Sequence, residues 1–231
     1  MNPDETFGLP AGVRAAVEEI LSRRQPLATA AAASGPAEVL FYDQVAFDFA
    51  FGWVGTSTTR WMFPIQAEGP TYVYYCCMRL QQLGYTTDQV LFATSGQGAV
   101  FYATVASAAV NSSGVIGLLP GNTPVFDFGG TLSAFAPNAT VTLICPSSAA
   151  DNDYEGTTYH GTELVGNLAI YMNGKVVATD AAVTYDPAGT AKTPGNIWLG
   201  DPQSGTASIL CPTPGEGNTQ NFPLGITPVC G

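Results

Sequence analysis

Short apolar, β-branched and aromatic runs follow one another from about residue 38 to residue 200, each bounded by Gly, Pro, Asn or Asp. This pattern constrains the fold more than any other feature of the chain. The runs are "VLFYDQVAFDFAF", "TRWMFPI", "TYVYYCCMRL", "QVLFAT", "AVFYATV", "GVIGLL", "VFDF", "TVTLICP", "NLAIYM", "KVVATDAAV" and "NIWLGD". Read as strands with almost no helix between them, they predict an antiparallel sandwich or barrel. With 231 residues, 46% of them hydrophobic, the chain can bury a sizeable core.

One stretch outside this pattern reads as a helix. In residues 10 to 24, "PAGVRAAVEEILSRR", the residues Val13, Val17, Ile20 and Leu21 recur at helical spacing and form one apolar stripe. Arg14 and Glu18 stand four apart, as do Glu19 and Arg23, and Arg23 and Arg24 lie at the end where the helix dipole favours cations. Such a helix is marginal alone, so its stripe needs a partner. That partner is either its own domain or, as a docking helix, copies of itself or a larger assembly. The expected organisation is a docking helix over 1–25, a linker over 26–37, a β domain over 38–210 and an irregular tail over 211–231.

Charge excludes several partners. Charged residues are only 11% of the chain, and seven Lys and Arg against eighteen Asp and Glu leave a net charge of −11. Phosphate recognition needs clustered cations, so a nucleic-acid partner is not expected, nor is docking on an anionic membrane. No apolar run reaches the roughly 18 residues of a transmembrane helix. The first ten residues lack the basic and apolar regions of a signal peptide. A surface poor in charge suits lasting contact with other subunits or with glycans, because little ionic desolvation opposes it.

Five cysteines, Cys76, Cys77, Cys145, Cys211 and Cys230, form no zinc-type spacing. Adjacent Cys76 and Cys77 on a strand would face opposite ways, leaving at least one as a buried thiol. A Cys211–Cys230 bridge would close the Pro/Gly-rich tail. The sequons at Asn111 and Asn138 read as chance matches.

In "LAIYMNGKVVATD", Asn173-Gly174 can take the two positive φ angles of a type I′ hairpin. The longer pattern, "IYMNGKVVATD" followed by "GNIWLGD", resembles the laminin-G-like, concanavalin A-like family, and "YVYYCCMRLQQLGYTTDQVLFATSGQGAVFYATVASAAVNSSGVIGLL" is similar to that family's upstream run. The resemblance spans roughly residues 40 to 200. The family's Trp-His-Val strand is missing, and its closing strand is replaced by "ASILCPTP". The resemblance implies an all-β, two-sheet antiparallel jelly roll behind a short N-terminal α-helix. Its inner faces would carry Phe47, Phe49, Leu91, Phe101, Leu143, Ile170, Val176 and Ile197.

Chemistry is sparse. The paired carboxylates of a glycosidase, in an ExDxE or ExDxxE run, are not found. A solitary His160, with no GxSxG, gives no nucleophilic triad, and no phosphate-binding glycine motif occurs. Asp127 between two Phe reads as an outward acid on a strand edge. Asp151, Asp153 and Glu155 stand at period two and could gather oxygen around calcium, the one cofactor considered. Trp53, Trp61, Trp198, Tyr154, Tyr159 and Tyr185 could stack on sugar rings, though Trp61 and Trp198 read as core. The polar insertion with Asp151, Asn152, Asp153, Tyr154, Tyr159 and His160 is the expected carbohydrate-contact surface.

The function expected from these features is non-enzymatic: a head or tail decoration of a virus particle, as in a tailed phage, made in the host cytoplasm. Its partners would be other virion proteins, copies of itself and a host-surface glycan. An exported lectin-like module and a divergent glycan-active enzyme are the alternatives.

Overall fold

In the computed structural model of this chain, the described residues are 9–24, 35–65, 70–94, 136, 138–154 and 157–230. They are strand-rich, as the sequence predicts, with a large mixed sheet and a few helices. The seven-stranded sheet comprises β1 (Gly35–Tyr42), β2 (Arg60–Pro64), β3 (Tyr85–Ala93), β4 (Thr140–Ile144), β7 (Lys175–Thr179), β10 (Ile197–Gly200) and β11 (Ala207–Cys211). Its order is β11-β10-β7-β4-β3-β1-β2. Every pair from β2 to β7 is parallel, and β10 and β11 are added antiparallel.

This is a correction to the expected all-antiparallel jelly roll. Parallel neighbours need crossovers, and helices supply them: α2 (Phe47–Val54), α3 (Pro70–Gln82) and α4 (Gly161–Met172). Two runs expected as strands are therefore helical. "TYVYYCCMRL" lies in α3, where Tyr72, Val73, Cys76, Cys77 and Leu80 are buried at helical spacing. "NLAIYM" lies in α4, which buries Leu164, Val165, Leu168 and Ala169. The second half of "VLFYDQVAFDFAF" leaves β1 for a short 3₁₀ turn and then α2. Phe101, Asp127, Asn111 and the runs "AVFYATV", "GVIGLL" and "VFDF" lie outside the described residues.

Asn173-Gly174 does not join two strands. Asn173 is left-handed (φ 47°) and ends α4, its N–H bonding Ile170 O at 3.0 Å while Gly174 N–H bonds Ala169 O at 3.1 Å. That is a helix C-cap. Gly174 then passes so close to β4 that a Cβ would stand 2.2 Å from Ala139 O. Glycine is required there to let the chain turn into β7.

The main core lies between one sheet face and α1 (Ala11–Arg24), α3 and α4, and includes Phe41, Trp61, Phe63, Phe92 and Leu143. α1 spends its stripe here. Val17 and Leu21 are buried, and Val13 and Ile20 pack against the same cluster. Each of the two buried side chains contributes about 1.5–3 kcal/mol before entropy. Glu18 reaches beyond its own helix. It turns to Arg79 on α3 (2.6 and 2.8 Å) and to Tyr75 (3.1 Å), while Glu19 pairs with Arg23 as the spacing predicts. The helix expected as a docking device thus packs on its own domain.

The opposite face is covered by α2 and a small sheet of β8 (Thr184–Asp186), β9 (Thr190–Thr193) and β12 (Gln220–Asn221). The C-terminal tail crosses this face as a strap. Phe222 is buried, Gln89 Nε2 donates to Leu224 O at 3.0 Å, and Thr140 Oγ1 donates to Ile226 O at 2.7 Å. A Cys211–Cys230 disulfide, the pairing considered from sequence, fastens its end to β11. Of the expected inner-face residues, Phe49, Leu91, Leu143, Val176 and Ile197 are buried, whereas Phe47 and Ile170 are exposed. Cys76, Cys77 and Cys145 are free and buried.

Candidate functional site

In open sheets of parallel strands, ligands bind beyond the carboxyl ends, where the connections leave room. The sheet reverses its direction of growth between β1 and β3, so the rim formed by the ends of β1, β3 and β4 is the place to look. Asp43 follows β1, and its carboxylate accepts N–H bonds from Val45 (3.0 Å) and Ala46 (3.1 Å), capping the 3₁₀ turn. Thr94 follows β3, and its hydroxyl donates to Cys145 Sγ at 3.3 Å. Cys145 follows β4, and its thiol faces Phe92 O at 3.5 Å. Tyr185, from β8, closes the cluster. Its hydroxyl lies 2.7 Å from Thr94 O and 2.5 Å from Ile144 O.

This cluster ties the ends of β3 and β4 together. Burial pushes the Cys145 thiol up to about 12, outweighing the Thr94 hydroxyl bond that pulls it down. A thiol so held is protonated at neutral pH and is a poor nucleophile. Burial likewise raises Tyr185 above its ordinary value, reinforced by the proximity of Cys145 and Asp43. Ser148, also buried, donates to Leu143 O and accepts from Thr179 N–H, tying β4 to β7.

The polar insertion expected as a contact surface leaves this same rim. After β4, the chain makes a turn over residues 146–149, with Ser147 in the left-handed region at φ 55°. It then forms a hairpin of β5 (Asn152–Tyr154) and β6 (Thr157–Tyr159) and enters α4. At the foot of the hairpin His160 Nδ1 stands 3.2 Å from Asp151 Oδ2, both side chains about half exposed. Gly161, directly after, fits against the Ala149–Ala150 backbone so closely that a Cβ would lie 2.3 Å from Ala149 C. The pairing Asn152↔Tyr159 and Tyr154↔Thr157 puts Asn152, Tyr154 and Tyr159 at positions of one hairpin face, with Asp153 and Thr158 on the other.

The sequence-predicted site residues are therefore divided. Asp151 and His160 come together, and Asn152, Asp153, Tyr154 and Tyr159 share the hairpin between them. For the calcium reading, Asp151 is described, but the side chains of Asp153 and Glu155 lie outside the described residues. Among the described residues no group of three or more His, Cys, Asp or Glu is placed to hold a metal. The other aromatic candidates serve the fold. Trp53 and Trp61 are buried, Arg60 lies over the Trp53 ring, and Trp198 Nε1 donates to Asp180 at 3.0 Å. Sequence reasoning missed Tyr185 as a rim residue, since its partners are main-chain carbonyls far along the chain. No family model matches the chain, and no curated protein or solved structure matches it either.

Proposed function

We propose that this chain is a non-enzymatic recognition domain that binds a hydroxyl-rich ligand, a surface glycan, through the β5–β6 hairpin and the Asp151–His160 pair at its foot. The observation that carries this reading is the hairpin's position. A segment with Tyr, Asn, Asp and His stands at the carboxyl end of a central parallel strand, where open sheets take ligands. Glycan sites combine a few placed donors and acceptors with aromatic faces, and this segment supplies both types. The protonated, buried Cys145 argues against covalent catalysis at the neighbouring strand end.

The charge-poor surface suits an assembly such as a virus particle, the setting expected above. α1 is spent on its own core, so attachment would use another surface. The Cys211–Cys230 bridge favours display outside a reducing cytosol, which fits a released particle and also the exported lectin-like alternative.

The test is a glycan-array screen of the full chain with and without chelator, followed by titration of Tyr154→Ala and Tyr159→Ala. Saturable binding to one glycan class, weakened at least about 10-fold by either change, is the expected result. Binding that both variants retain in full would remove the hairpin from the site. Release of reducing sugar from a bound glycan would instead establish the enzymatic alternative.

A further inference from the structure

The last residues of the strap are fastened by sulfur. Thr140 Oγ1, on β4, donates to Ile226 O at 2.7 Å, and the next fixed position is Cys230, bridged to Cys211 at the end of β11. Among the described residues, Thr227, Pro228 and Val229 make no hydrogen bond. The sheet order from one anchor to the other is β4-β7-β10-β11, and its inter-strand steps of about 4.8 Å sum to about 14 Å. The four residues from Ile226 to Cys230 reach about 14 Å at full extension. The strap end therefore runs extended over β7 and β10.

A small apolar patch lies on this part of the sheet. Val177 on β7 and Ile197 on β10 are buried with Cys211, and Leu199 and Leu210 pack against them. The cluster is separate from the one that Phe222 enters, so the anchored part of the strap does not cover it. Pro228, midway between the two anchors, is buried, whereas Thr227, Val229 and Cys230 are exposed. The strap end is thus a cover, laid down at its proline and held at its cysteine. Cys211 is buried, so a thiolate reaches the bridge from the Cys230 side.

We propose that the Cys211–Cys230 bridge is a redox latch: a dithiol reductant opens it in the folded protein, frees residues 227–230 and uncovers the Val177–Ile197 patch. A thiolate of the reductant attacks Cys230 Sγ, the S–S bond breaks, and its electron pair leaves on Cys211 Sγ, which takes up a proton. The reductant's second thiolate then attacks its own sulfur in the mixed disulfide. Cys230 Sγ departs and is protonated, and the reductant ends as a disulfide. Two electrons and two protons have passed to the protein. With a small disulfide as oxidant the same exchange runs in reverse and closes the latch. Phe222, held by its own N–H bond to Ala191 O, stays in place in both states.

The test treats the native full chain with dithiothreitol, alkylates at intervals and reads the products by mass spectrometry. Cys211 and Cys230 should be alkylated at a rate proportional to dithiothreitol concentration, while the buried Cys76, Cys77 and Cys145 stay unmodified and report an intact core. Nile red, an uncharged apolar dye, should brighten several-fold on the reduced protein and dim again after reoxidation with oxidised glutathione. Cys230→Ser should bind the dye without reductant, and Leu199→Thr added to it should weaken that binding, which locates the dye on the patch. If Cys230→Ser fails to fold, the reduced wild type serves in its place. Alkylation of Cys76, Cys77 and Cys145 as fast as Cys211 and Cys230 would mean that the bridge opens only with the whole fold, and it overturns the latch. Dye binding that reduction leaves unchanged, or that Leu199→Thr leaves unchanged, overturns the uncovered patch.

Discussion

Cys230→Ser opens the bridge to Cys211 and leaves the strap held by its packing and hydrogen bonds. The two cysteines are 19 residues apart. On the loop-closure account, cross-linking a loop of that size removes about 11 cal/mol/K from the unfolded chain, or about 3 kcal/mol at room temperature. Cys230 is exposed, so the new hydroxyl adds no burial cost, whereas Cys211 is buried and is left unchanged. The variant should therefore unfold in urea at lower midpoint with about 3 kcal/mol less stability. Reduction of the wild type should reproduce the loss. The strap should also loosen unevenly: amide exchange should rise beyond Ile226, where the disulfide was the anchor, and stay slow at Phe222, whose N–H bonds Ala191 O at 2.8 Å. A loss under about 1 kcal/mol, with exchange unchanged, would show that the bridge constrains nothing and would refute the reasoning.

Two further outcomes follow from ionisation and burial. The Arg79 guanidinium hydrogen-bonded to Glu18 holds its carboxyl below the ordinary 4.5, so this contact stabilises the docked α1 fully above that value and is lost as pH falls through the depressed one. Acid titration followed by amide exchange in α1 should show it loosening in that window in the wild type, while Glu18→Gln is already loosened at neutral pH. The thiols of Cys76, Cys77 and Cys145 are buried and raised by that burial, Cys77 and Cys145 to about 12. A thiol reagent at neutral pH should label none of the three in the native protein and all three after denaturation; rapid native labelling of Cys145 would reopen covalent chemistry at the rim.

The features legible in the sequence were those set by local pattern. α1 reads from Val13, Val17, Ile20 and Leu21, and β1 to β4, β7 and β10 read from their apolar runs. What did not read was how the strands are joined. A run buried on both faces looks alike in parallel and antiparallel sheets, as β4, Thr140–Ile144, buried at every position, illustrates. α3 misled because Tyr, Val and Cys lean towards strand, and the helix is fixed by burial of Tyr72, Cys76 and Leu80 along one face. The hairpin site was legible as a polar insertion, because Asp151 and His160 are close in sequence. Tyr185 read only as a ring that could stack on sugar, and its part at the strand ends was hidden because its hydroxyl reaches β3 and β4 from 91 and 41 residues away.

The Asn-Gly pair shows most directly why local signals stop short of topology. Positive φ at Asn173 is a requirement of the turn, and the residue meets it at little cost. A type I′ hairpin and a helix C-cap make that same demand, so the dipeptide is equally good evidence for both. What separates them lies upstream. Leu164, Val165, Leu168 and Ala169 place apolar groups three and four apart, and those positions lie against β7, β10 and β11. Read from Leu168 alone, the segment alternates well enough to pass for a strand. Read from Leu164, the helical period is already complete, and Asn173-Gly174 becomes the stop of a crossover. That crossover makes β4 and β7 parallel, and it turns the polar insertion before it into the carboxyl-end loop of the sheet.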